Sequence, residues 1–319
     1  MTAATAITKR AQARPPRVEP GGRAHVVAPS GPVPAERFER GLRVLRRALP
    51  HDYVLAENLQ EQEGYFAGSD RQRLDALHRA LQDADADAIF CARGGYGATR
   101  LLASLDPSGL THRPKPIVGF SDVTALLCWA LVRAGVPSIH GPVITQLSSL
   151  EQTDVDRLVD MLRGEVPAPL TAEEGSVLRG GTVEGPLVAG NLEILRSLVG
   201  TRYMPRLDGC LLALEEIGER PYRIDRCLTQ LIASGALRGV RGVIVGRFLQ
   251  CDEPDNGNVG PDGIDVVLER LTTLGVPVVT GFPFGHGPGR NAALPVGVVA
   301  RLHADDCTLE VLEPVTGTA

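Results

Sequence analysis

The sequence predicts an α/β protein with two domains. Short apolar runs alternate with segments whose apolar residues recur at helical spacing, which is typical of a parallel sheet with helices on both faces. The chain has 319 residues, more than one hydrophobic core usually accommodates. A polar passage containing Gly and Pro, residues 164–185, separates two such units. We therefore predict a disordered leader (1–21), an N-terminal domain (22–163), a linker (164–185) and a C-terminal domain (186–319).

The elements of the first domain can be assigned in order. An apolar run at 23–28, closed by a Pro-Ser-Gly-Pro turn, predicts the first strand. Apolar residues at helical spacing predict a helix over 35–49, which Pro50 ends, and Ser69 is a predicted N-cap of the next helix, which extends to about Leu81. The other predicted strands are 53–55, 88–91, 116–120 and 136–140, the other helices are 98–105, 122–134 and 154–162, and 58–68 is predicted as an exposed loop.

The second domain is predicted to begin near Leu187 with an apolar strand that leads into a helix at Leu192. The further predicted strands are 210–214, 242–246, 278–280, 298–302 and 307–312, and the predicted helices are 192–199, 224–234 and 263–274. The functional loops of such a fold are expected at the carboxyl ends of the parallel strands.

Composition narrows the range of functions. The net charge of -5 does not indicate a basic surface that would bind nucleic acid. The six cysteines show no CxxC or Cys/His ligand spacing, so we expect buried reduced thiols and neither a metal site nor a cofactor. The N-terminus lacks the apolar core of a signal peptide, and no stretch has the length of a membrane span. These features predict a cytoplasmic protein with no membrane partner.

Three strand ends carry side chains suited to acyl transfer. Ser121 follows a buried strand and precedes a helix, where it is either an exposed nucleophile or a helix cap; the segment alone favours the cap. Glu215 and Glu216 follow the apolar run 211–214, and His286 lies in a Gly/Pro-rich loop. A serine hydroxyl needs a base, and a carboxylate fixes the tautomer of a histidine base. Each residue alone is more typical of a surface or loop position, and only the fold can bring them together.

The sequence resembles the LD-carboxypeptidase family of serine peptidases from about Ala24 to the C-terminal region. The segments that carry the resemblance are VAPSG at 27–31, RGGYG at 93–97, GFSD at 119–122, GNL at 190–192, LEE at 214–216 with PYRIDR at 221–226, and GHG at 285–287. One such motif alone is weak evidence, whereas six in the same order are specific.

The resemblance implies a Rossmann-like N-terminal domain, a smaller α/β C-terminal domain and an active site between them. It implies Ser121 as the nucleophile, His286 as the general base and Glu215 as the carboxylate that orients it. Family members often have Glu-Asp where this chain has Glu215-Glu216. We prefer Glu215, because the catalytic glutamate of the motif is the first of the pair.

The implied activity is that of a cytoplasmic, metal-independent serine carboxypeptidase. Its substrate is expected to be a muropeptide tetrapeptide, from which it releases the terminal D-alanine during peptidoglycan recycling. The residue before that alanine is meso-diaminopimelate or L-lysine, and the sequence does not choose between them. The resemblance also implies a homodimer.

Further residues are candidates for binding. The backbone N–H groups of Asp122 and Gly95 are the predicted oxyanion hole, with the glycine next to Gly95 nearly as good a candidate. A phosphate cradle is disfavoured because the 93–97 loop lacks the P-loop lysine and the GxGxxG spacing, and a simple tight turn stays open. Arg93, Arg223 and Arg226 are candidates for the substrate carboxylate or for bracing the domain interface. His140 is interpreted as structural.

Two alternative functions remain. One is an immunity peptidase of the same family that cleaves a peptidyl-nucleotide antibiotic such as microcin C. Aromatic side chains would then stack on the nucleobase, and the single tryptophan, Trp129, equips the chain poorly for that role. The other is a non-catalytic α/β module that binds a small ligand between its domains.

Overall fold

A computed structural model describes residues 13–253 and 260–317. The first sheet contains β1 (Arg23–Val27), β2 (Asp52–Leu55), β3 (Ala86–Cys91), β4 (Ile117–Gly119) and β5 (Ser138–His140). These five strands are parallel in the order 2-1-3-4-5, which is a doubly wound topology. The predicted α/β class is confirmed.

Helices cover this sheet, and their caps follow from the sequence. Ser69 and Gln72 form a capping box, in which each side chain bonds the backbone N–H of the other residue, as the predicted N-cap requires. The helices of this part of the chain are α1 (Ala35–Ala48), α2 (Asp70–Gln82), α3 (Ala98–Leu101), α4 (Ser108–His112), α5 (Thr124–Trp129), α6 (Ile144–Leu147) and α7 (Gln152–Leu162). Four of them, α3 to α6, have only four to six residues each.

The second sheet has eight strands and is parallel only at its centre. Its strands are β6 (Leu170–Thr171), β7 (Val177–Arg179), β8 (Thr182–Asn191), β9 (Leu211–Ile217), β10 (Gly242–Leu249), β11 (Val278–Val279), β13 (Val299–His303) and β14 (Thr308–Val311). Strands β8 to β11 are parallel neighbours, and the other four extend the sheet by antiparallel pairing. The helices α8 (Leu192–Ser197), α9 (Pro221–Ala233) and α10 (Gly263–Thr272) belong to this part of the chain.

After β11 the chain returns to the first sheet. Strand β12 (Leu294–Val296) pairs antiparallel with β5, with Leu294 opposite His140. The two sheets are thus joined by the segment between β11 and β12, which carries His286. No local pattern in the sequence indicated that this segment leaves its own sheet.

Two of the predicted segments have a different structure. The passage 164–185, interpreted as a linker, contains β6 and β7 and the first residues of β8, because short edge strands pair through backbone groups and need few apolar side chains. Residues 1–12 of the predicted leader lie outside the described residues. Residues 13–21 pack on the first domain, where Val18 is fully buried and its N–H donates to Leu162 at 2.9 Å.

One close contact fixes α1 against the loop that follows β5. A Cβ atom at Gly41 would lie 1.7 Å from the carbonyl oxygen of Ile144, so the backbones of α1 and α6 approach as only glycine allows. We expect Gly41→Ala to lower the free energy of unfolding by about 1–3 kcal/mol, because overpacking outweighs the gain in helix propensity. Urea denaturation measures this change.

Arg43→Ala is the matched control for Gly41→Ala, since Arg43 lies on the exposed face of the same helix. We expect it to change the free energy of unfolding by less than about 0.5 kcal/mol. Equal stability of Gly41→Ala and the native protein would show that the two helices can separate at no cost.

Candidate active site

The candidate site lies where the doubly wound sheet reverses its strand order. Strands β1 and β3 are neighbours whose helices lie on opposite faces, and the loops that follow such a pair leave a crevice between them. The two loops are joined by a hydrogen bond of 3.0 Å from the Gly31 N–H to the Gly94 carbonyl oxygen. The crevice is therefore bordered by the predicted 93–97 loop.

Ser121 lies at a strained turn immediately after β4. Its φ of +62° is in the left-handed region, which is uncommon for residues other than glycine. The turn is tightly packed, because a Cβ atom at Gly119 would lie 2.8 Å from Val123, and one at Gly94 would lie 2.8 Å from the Ser121 Cβ. Ser121 begins a short 3-10 turn and does not cap it, so the structure favours the exposed hydroxyl over the cap.

Asp122 links this turn to the 93–97 loop. Its carboxylate is fully buried and accepts a hydrogen bond of 2.8 Å from the Ala98 N–H, and burial raises the pKa of Asp122. Gly95 has a φ of +113°, and a Cβ atom there would lie 3.1 Å from the Gly31 Cα. The two predicted oxyanion-hole residues thus belong to one hydrogen-bonded unit.

Glu215 and His286 form a direct pair. His286 Nδ1 lies 2.6 Å from Glu215 Oε2, and the His286 backbone N–H also donates to that oxygen at 3.3 Å. A proton on Nδ1 makes this bond and leaves Nε2 free to accept a proton. Glu215 is fully buried within β9. Burial alone would raise the pKa of Glu215, but the charge of His286 outweighs it and lowers that pKa. Burial alone would lower the pKa of His286, but the Glu215 carboxylate outweighs it and raises that pKa.

The loop that carries His286 is anchored at both ends. Gly285 has a φ of +104°, and a Cβ atom there would lie 2.7 Å from the Glu215 Cβ. The Gly285 N–H donates to Asn291 Oδ1 at 2.8 Å, and the Asn291 N–H donates to Asp154 on α7 at 2.7 Å. The C-terminal loop is therefore attached to the N-terminal domain.

Ser121 and His286 line one cavity of about 780 Å³. The ring of His286 lies 4.7 Å from the ring of Phe120, the residue before Ser121. Among the described residues, no hydrogen bond joins the Ser121 hydroxyl to His286, which is common before a substrate tightens a site. Residues from both domains enclose the cavity, since Ile217 and Leu249 also line it.

Three arginines line the cavity. They are Arg93, a candidate from the sequence, and Arg37 and Arg40 of α1, which the sequence analysis missed. None of the described lining residues is a carboxylate. Arg37 and Arg40 lie one helical turn apart on the exposed face of α1. In the sequence this spacing is typical of any solvent-exposed helix face, so it does not indicate a binding site.

The other two arginine candidates lie elsewhere. Arg223 and Arg226 on α9 flank the exposed ring of Tyr222, and Arg223 also pairs with Glu219 at 3.5 Å. Neither belongs to the lining of the cavity that contains Ser121. The interpretation that they bind the substrate carboxylate there is not supported by this arrangement.

Two models of known domains match the chain. The LD-carboxypeptidase N-terminal domain matches residues 24–141, and the LD-carboxypeptidase C-terminal domain matches residues 184–302. The chain belongs to the LD-carboxypeptidase family. This membership confirms the family that the motifs predicted and supports a peptidase role.

Known members resemble the chain over most of its length. The murein tetrapeptide carboxypeptidase of Pseudomonas aeruginosa is 34% identical over 296 residues, which are 89% of this chain and 94% of that protein. The structure of the muramoyltetrapeptide carboxypeptidase from Oxalobacter formigenes has a TM-score of 0.80 at 29% identity and covers 93% of this chain and 100% of that one. MccF in complex with glutamyl sulfamoyl guanosine has a TM-score of 0.84 at 21% identity, over 95% and 99% of the two chains, and shares the fold.

Two further buried groups lie near Glu215. Glu216 accepts hydrogen bonds from Asn191 Nδ2 at 2.7 Å and from the Glu193 N–H at 2.9 Å, which fixes the start of α8. Burial and the neighbouring Glu215 raise the pKa of Glu216 to about 7. His140 is fully buried between the rings of Phe120 and Phe284, and burial lowers its pKa to about 4. It is therefore neutral at physiological pH.

Within residues 13–253 and 260–317, every helix is too short or too polar to span a membrane. In the same residues, no group of three His, Cys, Asp or Glu side chains is arranged to hold a metal ion.

Removing the Glu215 charge tests the electrostatics of the pair. In Glu215→Gln the burial of His286 persists while the carboxylate charge that opposes it is lost, so we expect the His286 pKa to fall from above the ordinary value of a histidine to below it. NMR titration of the imidazole protons measures the shift.

Glu310→Gln is the matched control, because it removes a carboxylate that contacts a different histidine, His303 in the second sheet. We expect it to leave the pKa of His286 unchanged. An unchanged His286 pKa in Glu215→Gln would show that the two side chains do not interact in solution.

Proposed function

We propose that this protein is a serine LD-carboxypeptidase that releases the terminal D-alanine of muropeptide tetrapeptides through an acyl-enzyme. The observation that carries the proposal is the His286–Glu215 pair, whose imidazole lines one cavity with Ser121 at its strained turn while Glu215 lies buried behind it. A binding module has no need for these three groups at one site. The murein tetrapeptide carboxypeptidase of Pseudomonas aeruginosa supports the substrate class.

In the proposed reaction the Ser121 hydroxyl attacks the carbonyl carbon before the terminal alanine. His286 Nε2 accepts the hydroxyl proton, and Glu215 stabilises the imidazolium that forms. The carbon–nitrogen bond then breaks, and the proton passes from His286 to the departing amine of D-alanine. A water molecule attacks the acyl-enzyme with the same base, which releases the shortened peptide and restores the hydroxyl. No step of this sequence requires a metal ion.

The oxyanion of each tetrahedral intermediate needs donors close to Ser121. We propose the backbone N–H of Asp122 together with that of Gly95 or Gly94, since both glycines line the cavity. Gly94 lies closer to the serine, because its missing side chain would point at the Ser121 Cβ and Oγ. The 93–97 loop thus has a role beyond that of a tight turn.

The substrate carboxylates need a cationic surface. We propose that Arg93 and Arg37 bind them, because both line the cavity and neither forms a salt bridge with a described residue. Guanidinium groups suit this task, since they bond carboxylates through two parallel N–H groups. Within this proposal the enzyme acts in the cytoplasm on recycled wall fragments, as a homodimer.

Replacing the nucleophile tests the mechanism. We expect Ser121→Ala to lose at least about three orders of magnitude in kcat, because the acyl-enzyme can no longer form. Ser121→Gly should be equally inactive and at least as stable as the native protein, since glycine adopts the positive φ without strain. Mass spectrometry of tetrapeptide before and after incubation measures the loss of one alanine.

Ser148→Ala is the matched control, because Ser148 lines the same cavity. It should retain activity and react with a serine-directed phosphonate probe, which Ser121→Ala should not. Full activity of Ser121→Ala, or inhibition of the native protein by a chelator and not by the probe, would refute the serine mechanism.

Removing a cavity cation tests carboxylate recognition. We expect Arg37→Ala to raise KM for the tetrapeptide about tenfold with a smaller change in kcat, which is the size expected for an exposed charge-assisted hydrogen bond. Steady-state kinetics measures both constants. Arg43→Ala, on the same helix but outside the cavity lining, should leave KM unchanged. The same KM in both variants would remove Arg37 from the binding site.

A further inference from the structure

An aromatic cluster borders the candidate active site. The ring of Phe66 lies 4.4 Å from that of Tyr65 and 5.8 Å from that of Tyr96, and the two tyrosine rings are 5.7 Å apart. Aromatic residues make up only 4% of the chain, so three of them in contact at one place are a marked concentration. Tyr65 is 63% exposed and Tyr96 is 47% exposed.

Two arginine side chains pack on the Phe66 ring of the aromatic cluster. The guanidinium carbons of Arg73 and Arg100 lie 4.4 Å and 5.1 Å from the centre of the Phe66 ring, on which they form cation–π contacts. Both arginines pair with Asp70 at the start of α2. Since Arg73 is fully buried, the Phe66 ring packs against a buried side chain.

The loop that carries Tyr65 is tied to the first strand. Asn58 is buried, and its side-chain amide donates to the carbonyl oxygens of Ala28 and Ala67 at 2.9 Å each. The Ala67 N–H donates to Ser30 at 2.9 Å. This stretch, predicted as an exposed loop, is therefore anchored at its base while its tyrosine faces solvent.

The exposed rings face a second pocket that adjoins the cavity of Ser121. This pocket has a volume of about 510 Å³ and is lined by Tyr65, Tyr96 and Gln62, among others. It shares Arg93 and Gly95 with the first cavity, so the two pockets are adjacent. Tyr96 also belongs to the loop that provides Gly94 and Gly95.

We propose that Tyr65 and Tyr96 form a subsite for a sugar ring on the substrate, the N-acetylmuramoyl group at the end of the peptide away from the scissile bond. The inference rests on the proposed function. A pyranose presents an apolar C–H face that stacks on an aromatic ring, while Gln62 and Arg93 offer hydrogen-bond donors to its polar edge. The tyrosine planes meet at 51° with their centres 5.7 Å apart, so they present two inclined faces and form no parallel slot for a flat base.

The distances agree with a peptide that links the two spaces. Tyr96 is two residues from Gly94, where an added Cβ atom would lie 2.8 Å from the Ser121 Cβ, so the Tyr96 Cα is within about 7 Å of a glycine next to the serine. Three peptide residues between the scissile bond and the sugar span about 10 Å. The ring of Tyr96, which projects beyond its Cα, is thus within reach of the sugar.

Two substrates with the same peptide test the subsite. Steady-state kinetics would compare N-acetylmuramoyl tetrapeptide with the free tetrapeptide. We expect the native enzyme to have the lower KM for the muramoyl substrate. Tyr65→Ala should raise that KM about five- to tenfold relative to the KM for the free peptide, and Tyr65→Phe, which keeps the ring, should restore the native ratio.

Tyr222→Ala is the control for loss of an exposed tyrosine, since Tyr222 is 48% exposed and lies outside both pockets. It should change neither KM. An equal KM for the two substrates in the native enzyme, or an equal rise for both in Tyr65→Ala, would overturn the proposal. The proposal would also be overturned if Tyr65→Ala weakened the binding of aspartyl sulfamoyl adenosine and left the KM of both peptides unchanged. That result would assign the pocket to a nucleobase.

Calorimetry separates this inference from the proposed function. If the native protein releases alanine from neither substrate, the carboxypeptidase assignment fails. Binding of the muramoyl and free tetrapeptides to the native and Tyr65→Ala proteins still tests the subsite. Tighter binding of the muramoyl peptide that Tyr65→Ala abolishes would support the subsite, and equal binding of both peptides would reject it.

Discussion

The arrangement of the candidate site depends on the return of the chain from the second sheet to the first. Asn291 accepts the Gly285 N–H and donates its own N–H to Asp154, so the loop of His286 is held by one domain and built by the other. Strand β12 completes the return by pairing with β5. Because Glu215 lies inside a strand of the second sheet, its position is set by the sheet, and this loop brings the imidazole to both the carboxylate and the cavity of Ser121.

The strained turn at Ser121 is the second constraint, and the surrounding packing maintains it. A residue other than glycine at positive φ costs on the order of 1–3 kcal/mol, which persists only where neighbours determine the conformation. Here the buried Asp122 carboxylate bonds to Ala98, and the helix that follows is buried through Trp129. The same aspartate joins the serine turn to the 93–97 loop, so the hydroxyl and its candidate oxyanion donors are positioned together.

The sequence predicted what local patterns encode and missed what depends on distant pairing. Apolar periodicity located the principal strands and helices, and three strand ends supplied Ser121, Glu215 and His286. The order of the strands, the return of β12 and the strands within 164–185 depend on partners far away in the chain, so no local signal identified them. Arg37 and Arg40 were missed for the same reason, because only the contact of α1 with α6 turns their helix face toward the cavity.

The arginines suited to substrate binding line the cavity, whereas the carboxylates that support proton transfer by His286 are buried behind it. A cavity lined by arginines suits an anionic peptide but opposes the formation of an imidazolium within it. The groups that raise the pKa of His286 are Glu215 and, more weakly, Glu216, both buried in β9 on the protein side of the ring. Protonation of His286 therefore neutralises a carboxylate already present and adds no isolated charge to the site. The buried glutamate thus allows one cavity to hold anionic substrate groups and a basic histidine.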